Sequence, residues 1–414
     1  MSDILYKNNQ KVIGSIIKLN RIKQNMSQKE LAKGTCVPSY LSRIESGDLI
    51  PSEDVISIIL NRLGLVFNDS PEFIGSGTEA LALFFNNLNF NEFDSTTKLF
   101  KELEDKENDF ITSPLIIDYF LAKLARYSTT PKREKFEGSK NALLSAFELL
   151  SPKQKFLYNF YIGIDILNHL GDITTGKEYI KNALNFKETG HCYYWLSYSY
   201  RIENNTIKAY DCIKKALDLY VIEGNFISIM NCYEKIAEVY FMLDNYTDAI
   251  HHLKMSLRMS EKIKNSHYID HIDSMLAWSY YRLKDYKTSL DYLNMNSGIA
   301  DHRMIIPDSV LESLIYFDLK DKENLKKSIL KLTSPQSLEQ ISDELANIFH
   351  KFFTFYLEND NYMKSHIWEG LLIYIIESLS RFVELKKVFV SLLKDYYINN
   401  RRYKDALFSQ NICK

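Results

Sequence analysis

The chain has 414 residues, 46% hydrophobic and 25% charged, with a formal net charge of −2. That length holds two or three domains and a large core, and the mix is ordinary for a globular chain. Only 14 Gly and 8 Pro argue against a β-rich or loop-rich fold, and no stretch approaches the ~18 consecutive apolar residues of a membrane span.

Residues 11–24 are predicted as an amphipathic helix. Val12, Ile16, Ile17 and Leu19 recur with helical period, and Lys18, Arg21 and Lys23 lie on the polar side. Ser27 and Glu30 fit a capping box, opening a short helix with Leu31 and Ala32 as its apolar face. Gly34 and Thr35 interrupt it. A second helix starts near Pro38, buries Leu41 and Ile44 three residues apart, and ends at Gly47. Ser39, Tyr40, Ser42 and Arg43 are left outside. Two short helices joined by a tight turn, with small polar residues and an Arg outside the second, make a helix-turn-helix. Arg43 can donate to guanine O6 and N7, and Ser or Tyr can reach bases or phosphates. Gln28, Lys29, Arg21 and Lys23 are expected on the DNA backbone. A further helix, 52–63, closes a domain expected to hold five helices over residues 1–66.

The stretch SQKELAKGTCVPSYLSRIESG, with its flanks over residues 10–65, resembles the Xre-type helix-turn-helix domain. Its spacing is one residue shorter than the commonest Xre pattern. It is similar to the PlcR-like branch of the Rgg/Rap/NprR/PlcR/PrgX peptide-sensing family, which also tends to carry a Cys at the position of Cys36. The resemblance implies that Gln28 touches phosphate while Pro38, Ser39 and Arg43 face bases. Pro38 departs from the Gln or Ser often found there. Glu45 would be structural. Residues 1–70 carry nine Lys and Arg against seven Asp and Glu. So small an excess predicts weak binding as a monomer and dimerisation on a two-fold-related operator.

Residues 67–77, rich in Asn, Asp, Ser, Pro and Gly, read as a linker. Helical hairpins are expected over 78–156, with helices at 78–90, 93–106 and 113–127 and a polar loop or helix start at 128–139. From 157 to 414 a period appears. Tyr200, Tyr240 and Tyr280 are 40 residues apart. Six residues after each come Thr206, Tyr246 and Tyr286, and nine after each the small Ala209, Ala249 and Ser289. Tyr356, Tyr362 and Ser365, then Tyr397, Tyr403 and Ala406, repeat the pattern. Leu167, Ile173 and Gly176 give a weaker copy, and Tyr316 marks a degraded one. A large residue on one helix fits a small residue on the next, and stacked units bury a continuous core.

This spacing resembles the tetratricopeptide repeat (TPR), with a longer period and without the terminal Pro. The expected fold is therefore all-α: an Xre-type helix-turn-helix domain, then a TPR-like right-handed α-solenoid. On the TPR register the concave face would present Tyr161, Asp165 and Asn168; Tyr194, Tyr198 and Arg201; Asn231, Glu234 and Glu238; and Trp278, Tyr281 and Arg282. Asn pairs with an extended peptide backbone, Tyr and Trp offer pockets, and Arg takes a terminal carboxylate. The family resemblance implies a short, reimported signalling peptide as the ligand, bound in a region that also dimerises.

No P-loop, H-E-x-x-H or G-x-S-x-G motif is present, and no His or Cys residues stand at metal-ligand spacing, so neither an enzyme, a cofactor nor a metal is expected. The five cysteines are scattered without a C-x-x-C, and residues 1–11 lack an apolar signal region. Both predict a cytoplasmic protein with reduced thiols and no membrane partner. The leading expectation is a homodimeric transcription regulator controlled by a quorum-sensing peptide. An arbitrium-type phage or mobile-element switch shares that architecture. A scaffold acting on a response regulator is the alternative of another class.

Overall fold

The computed structural model describes residues 10–263, 266–295, 307–334, 341–379 and 382–409. All regular structure among these residues is helical. The chain divides into two compact units, Met1–Ile229 and Met230–Lys414.

The first unit opens with α1 (Gln10–Lys23), α2 (Gln28–Ala32), α3 (Pro38–Glu45) and α4 (Glu53–Arg62). These are four described helices where five were expected. The capping box forms: the Ser27 hydroxyl accepts from the Glu30 N–H at 3.2 Å, and the Glu30 carboxylate accepts from the Ser27 N–H at 2.7 Å. Such a cap contributes about 1 kcal/mol. Gly34 and Gly47 both sit at φ +75°, the left-handed region that glycine enters without strain. At the end of α3 the N–H groups of Gly47 and Asp48 donate to the carbonyls of Ile44 and Arg43, which satisfies the last turn. Gly14 lets α1 cross α3 closely, since a Cβ there would lie 2.4 Å from the Ile44 carbonyl oxygen.

The expected linker is largely helix. α5 (Pro71–Asn89) begins four residues into it. Ser70 caps α5 by accepting from the Phe73 N–H, and Pro71 takes the first helical position, where its missing N–H costs nothing. Gly77 is a packing residue: a Cβ there would come within 2.7 Å of Leu115. The unit continues with α6 (Phe93–Asp105), α7 (Glu107–Ile111), α8 (Ile116–Tyr127) and α9 (Arg133–Ser145). One hydrophobic core runs from Ile13 and Ile17 of α1 through Leu41 and Ile44 of α3 to Phe84, Phe110, Leu121, Leu149 and Ile162. Residues 1–66 therefore do not stand apart from the helices that follow. The buried amide of Asn20 donates to the Ile111 carbonyl at 2.8 Å and reinforces that joint.

Helical hairpins complete the first unit: α10 (Pro152–Asp165) with α11 (Ile173–Leu184), and α12 (Gly190–Ile202) with α13 (Thr206–Glu223). The unit boundary falls inside α14 (Phe226–Met242). The second unit carries α15 (Tyr246–Ile263), α16 (Ser266–Arg282), α17 (Tyr286–Met295), α18 (Asp308–Asp318) and α19 (Lys322–Ile329). It ends with α20 (Asp343–Glu358), α21 (His366–Ser378), α22 (Val383–Asn399) and α23 (Tyr403–Ser409).

The periodic residues have a local cause. Four residues after Leu167, Tyr200, Tyr240, Tyr280 and Tyr316 come Gly171, Asn204, Asp244, Lys284 and Lys320, all at positive φ. The next residue is Asp172, Asn205, Asn245, Asp285 or Asp321, and each side-chain oxygen accepts from the backbone N–H three residues on. A left-handed residue thus ends one helix, and an Asn or Asp caps its successor. Ala209, Ala249 and Ser289 are fully buried. Leu167 packs against Gly176, where a Cβ would lie 2.6 Å from the Leu167 Cγ. The Ser197 hydroxyl donates to the Ala209 carbonyl at 2.8 Å, and Ser289 to the Ala277 carbonyl at 2.6 Å, tying each hairpin across. In the Tyr316 hairpin the small position holds the fully buried Leu325. The Tyr356 copy differs from the expected pattern: Tyr362–Lys364 is a 3-10 turn, and Ser365 caps α21 instead of packing on it.

Candidate nucleic-acid interface and hairpin face

The α3 surface is built as its sequence predicts. Leu41, Ile44 and Glu45 are buried, while Pro38, Ser39, Ser42 and Arg43 are exposed and Tyr40 is half-buried. Ser39 and Arg43 are four apart and share one edge, as do Pro38 and Ser42. Lys29 of α2 is also exposed. The resulting edge offers exposed hydroxyls and a guanidinium, the chemistry a base edge or phosphate requires.

Three other residues expected on DNA are held by carboxylates of the same unit, Arg21 and Gln28 inward and Lys23 at the exposed surface. Arg21 is only 9% exposed. Its guanidinium grips both oxygens of Glu45, at 2.6 and 2.8 Å, and donates to the Met26 carbonyl at 2.7 Å. Gln28 donates its amide N–H to the same Glu45 at 2.8 Å. Lys23 reaches Glu107 of α7 at 3.1 Å, where Lys123 also lies within 3.3 Å. Burial pushes the Glu107 carboxyl up, but Lys123 and Lys23 outweigh it and hold it below its usual range. Arg21 lies on a helix with an apolar stripe, and spacing alone does not reveal that Glu45 comes to meet it from α3.

The residues expected on a concave face divide similarly. In the first unit Tyr161, Tyr194, Tyr198 and Arg201 are half-buried and Asn168 is exposed. The Arg201 guanidinium lies over the Tyr198 ring at 5.5 Å, and Trp195, which the register reading missed, packs on Tyr198 at 5.7 Å. Asp165 is buried and paired with Arg133 of α9, so it is part of the interior. In the second unit Asn231 and Glu238 are partly exposed. Glu234 is buried between Lys235 at 2.8 Å and His271 at 3.2 Å, and Lys235 also binds Glu238 at 2.7 Å. Trp278 and Tyr281 are buried members of the core. Arg282 is held by Asp244 and Glu384 at 3.5 and 3.7 Å and covers the Tyr246 ring at 4.6 Å. Asp165, Glu234, Trp278 and Tyr281 are therefore corrected from ligand positions to packing positions, while Arg282 stays half-buried. Helical register fixes a face but not what a neighbouring helix places over it.

Among the described residues no group of three or more His, Cys, Asp or Glu is arranged to hold a metal ion. No described helix is long and apolar enough to cross a membrane.

The fold and the α3 edge define a class: an all-α protein with an N-terminal helix-turn-helix domain followed by a TPR-like helical array. Residues 17–66 match the family model described as Helix-turn-helix, HTH_3. Among solved structures, the apo form of the quorum sensor NprR from B. thuringiensis is similar, with a TM-score of 0.63 and 16% identity over 82% of this chain and 98% of that one. A Rap protein complexed with competence and sporulation factor gives a TM-score of 0.61 at 14% identity, over 81% of this chain and 97% of that one. NprR in complex with its cognate peptide NprX gives 0.55 at 16% identity, over 83% and 98%. The shared fold agrees with the resemblance read in the sequence. A comparison with curated protein sequences finds no match.

Proposed function

We propose that the chain is a cytoplasmic transcription regulator that binds a two-fold-related operator as a homodimer. In this reading a short linear signalling peptide, bound on the hairpin array, controls it. The exposed Ser39, Ser42 and Arg43 edge of α3, within a matched helix-turn-helix domain, carries the DNA part. The peptide part draws on the fold shared with NprR, which binds its cognate peptide NprX, and on the half-buried Tyr161, Tyr194, Tyr198 and Arg201 with the exposed Asn168. Lys29, Pro38, Ser39, Tyr40, Ser42 and Arg43 are the DNA-facing residues. Arg21 and Gln28 support them through Glu45. The peptide acts only through its difference in affinity for the two states of the regulator. No catalytic step enters this role.

Selection of duplexes from a random pool by the purified full-length protein tests the DNA part. The expected product is a two-fold-related site whose affinity falls roughly 5- to 150-fold per half-site in Arg43→Ala, the discrimination carried by one good bidentate base contact. Failure to select any duplex, or full binding by Arg43→Ala, would favour the scaffold that acts on a protein partner.

A further inference from the structure

α1 packs on α8 and α9, and these three helices with α7 enclose a cavity of about 350 Å³. That lies within the size range of small-molecule sites. Its floor is apolar: Leu19, Phe120 and Ala142 are buried, and Ile22 is half-buried. Its rim is charged. Lys23, Lys123 and Lys135 line it against one carboxylate, Glu107. Lys23 and Lys123 share that carboxylate at 3.1 and 3.3 Å, and the Tyr119 hydroxyl donates to it at 3.1 Å. Lys135 pairs with Glu104, outside the lining, at 3.1 Å. Among these groups three ammonium ions face two carboxylates, which leaves one positive charge over. Gly138 leaves the α9 wall without a side chain, and a Cβ there would meet nothing within 4 Å.

We propose that this cavity binds a small carboxylic acid with an apolar body. The body lies on Leu19, Ile22 and Phe120, which removes its apolar surface from water. The carboxylate takes Lys135 at the mouth, where that side chain is 52% exposed, while Lys23 and Lys123 screen Glu107 from it. Charge decides the class. A monoanion balances the group, a cation adds a further positive charge, and a neutral alcohol leaves the excess in place. The proposal stands apart from DNA and peptide binding, but its consequence reaches the helix-turn-helix domain. Leu19 and Ile22 belong to that domain, and Phe120 and Gly138 to the helices behind it. An occupant that needs both walls binds only the joined arrangement and stabilises it.

Sodium octanoate, kept below its micelle concentration, tests this by calorimetric titration into the full-length protein. Octan-1-ol and octylammonium chloride, which share its chain, are run beside it. Octanoate should bind once per chain, and octan-1-ol at least about ten-fold more weakly, for want of one charged hydrogen bond. Octylammonium should not bind. Lys135→Met keeps an apolar stem without the charge, and should bring octanoate down to the affinity of octan-1-ol while leaving the alcohol unchanged. Gly138→Leu fills the cavity and should abolish binding of both. It should melt no lower than wild type, because leucine is the better helix former and its Cβ meets open space; its loss of binding is then not a loss of fold. Wild type that binds no octanoate would overturn the proposal. So would equal binding of octanoate and octan-1-ol, or full octanoate binding by Gly138→Leu.

Discussion

Glu45 is the hub on which the reading helix turns. It is 1% exposed and takes three charge-assisted or amide hydrogen bonds from Arg21 and Gln28. The pair joins α1 to α3, so it sets how the exposed edge is presented. Glu45→Ala would leave the Arg21 guanidinium buried without its carboxylate, at a cost of about 3–5 kcal/mol. Urea unfolding should show that loss, and an unchanged midpoint would contradict the role. Glu45 was recognisable as structural from the family resemblance, but Arg21 read as a surface cation because its partner is 24 residues away. A second buried carboxyl has the opposite electrostatics. Burial, and then the carboxyl groups of Asp270, Glu261 and Asp308, push Asp273 up to about 7. Its Oδ1 has no hydrogen-bond partner among the described residues. Between about pH 4, where the unfolded side chain ionises, and about pH 7 the folded state holds a proton that the unfolded state has lost. Stability from this group should therefore be full at the acid end, fall as pH rises through that window, and level off above it. Asp273→Asn should flatten that fall and be more stable than wild type at pH 8 in urea titrations. Parallel pH profiles for the two proteins would contradict the assignment.

At the scale of elements, the hairpins were legible because their geometry leaves a residue signature. The large residue and the small residue nine positions on were read correctly for Tyr200, Tyr240 and Tyr280, whose partners Ala209, Ala249 and Ser289 are buried. The capping Asn or Asp five residues after each large residue was equally available in the sequence and is the sharper mark. The linker was misread because Ser70, Pro71, Gly75 and Gly77 are turn formers in isolation. In place, Ser70 caps, Pro71 starts the helix and Gly77 makes room for Leu115. The four buried members of the expected concave set show the complementary gap. Their register is legible, but their depth depends on side chains from elsewhere in the same unit, such as Arg133 over Asp165. The large-on-small fit makes a direct prediction. Ala249→Leu should overpack the α14–α15 turn and cost about 1–3 kcal/mol, whereas Leu325→Ala should destabilise by leaving a cavity, at about 2–5 kcal/mol. Equal stability of wild type and Ala249→Leu in denaturant titration would show that the close approach is not required.

At the scale of the molecule, the first unit binds the helix-turn-helix domain into a larger body. Its core is continuous from Ile13 to Ile162, and a Cβ on Gly47 would already touch Leu149 at 3.2 Å. Separating the domain from α5 to α9 would expose that core, so the domain moves with those helices rather than swinging on a tether. In a homodimer, the spacing of the two reading helices would then follow the arrangement of the protomers, against half-sites about one turn (~34 Å) apart. A peptide that alters that arrangement needs no contact with α3 to alter DNA binding. The most direct test is a footprint of the purified protein on DNA upstream of its own and adjacent genes, with and without the peptide-sized fraction of spent medium from the source culture. Protection of a two-fold-related site that changes when the fraction is added is the predicted result. Protection that is identical in both conditions would contradict control by a peptide, and no protection in either would contradict the DNA-binding role.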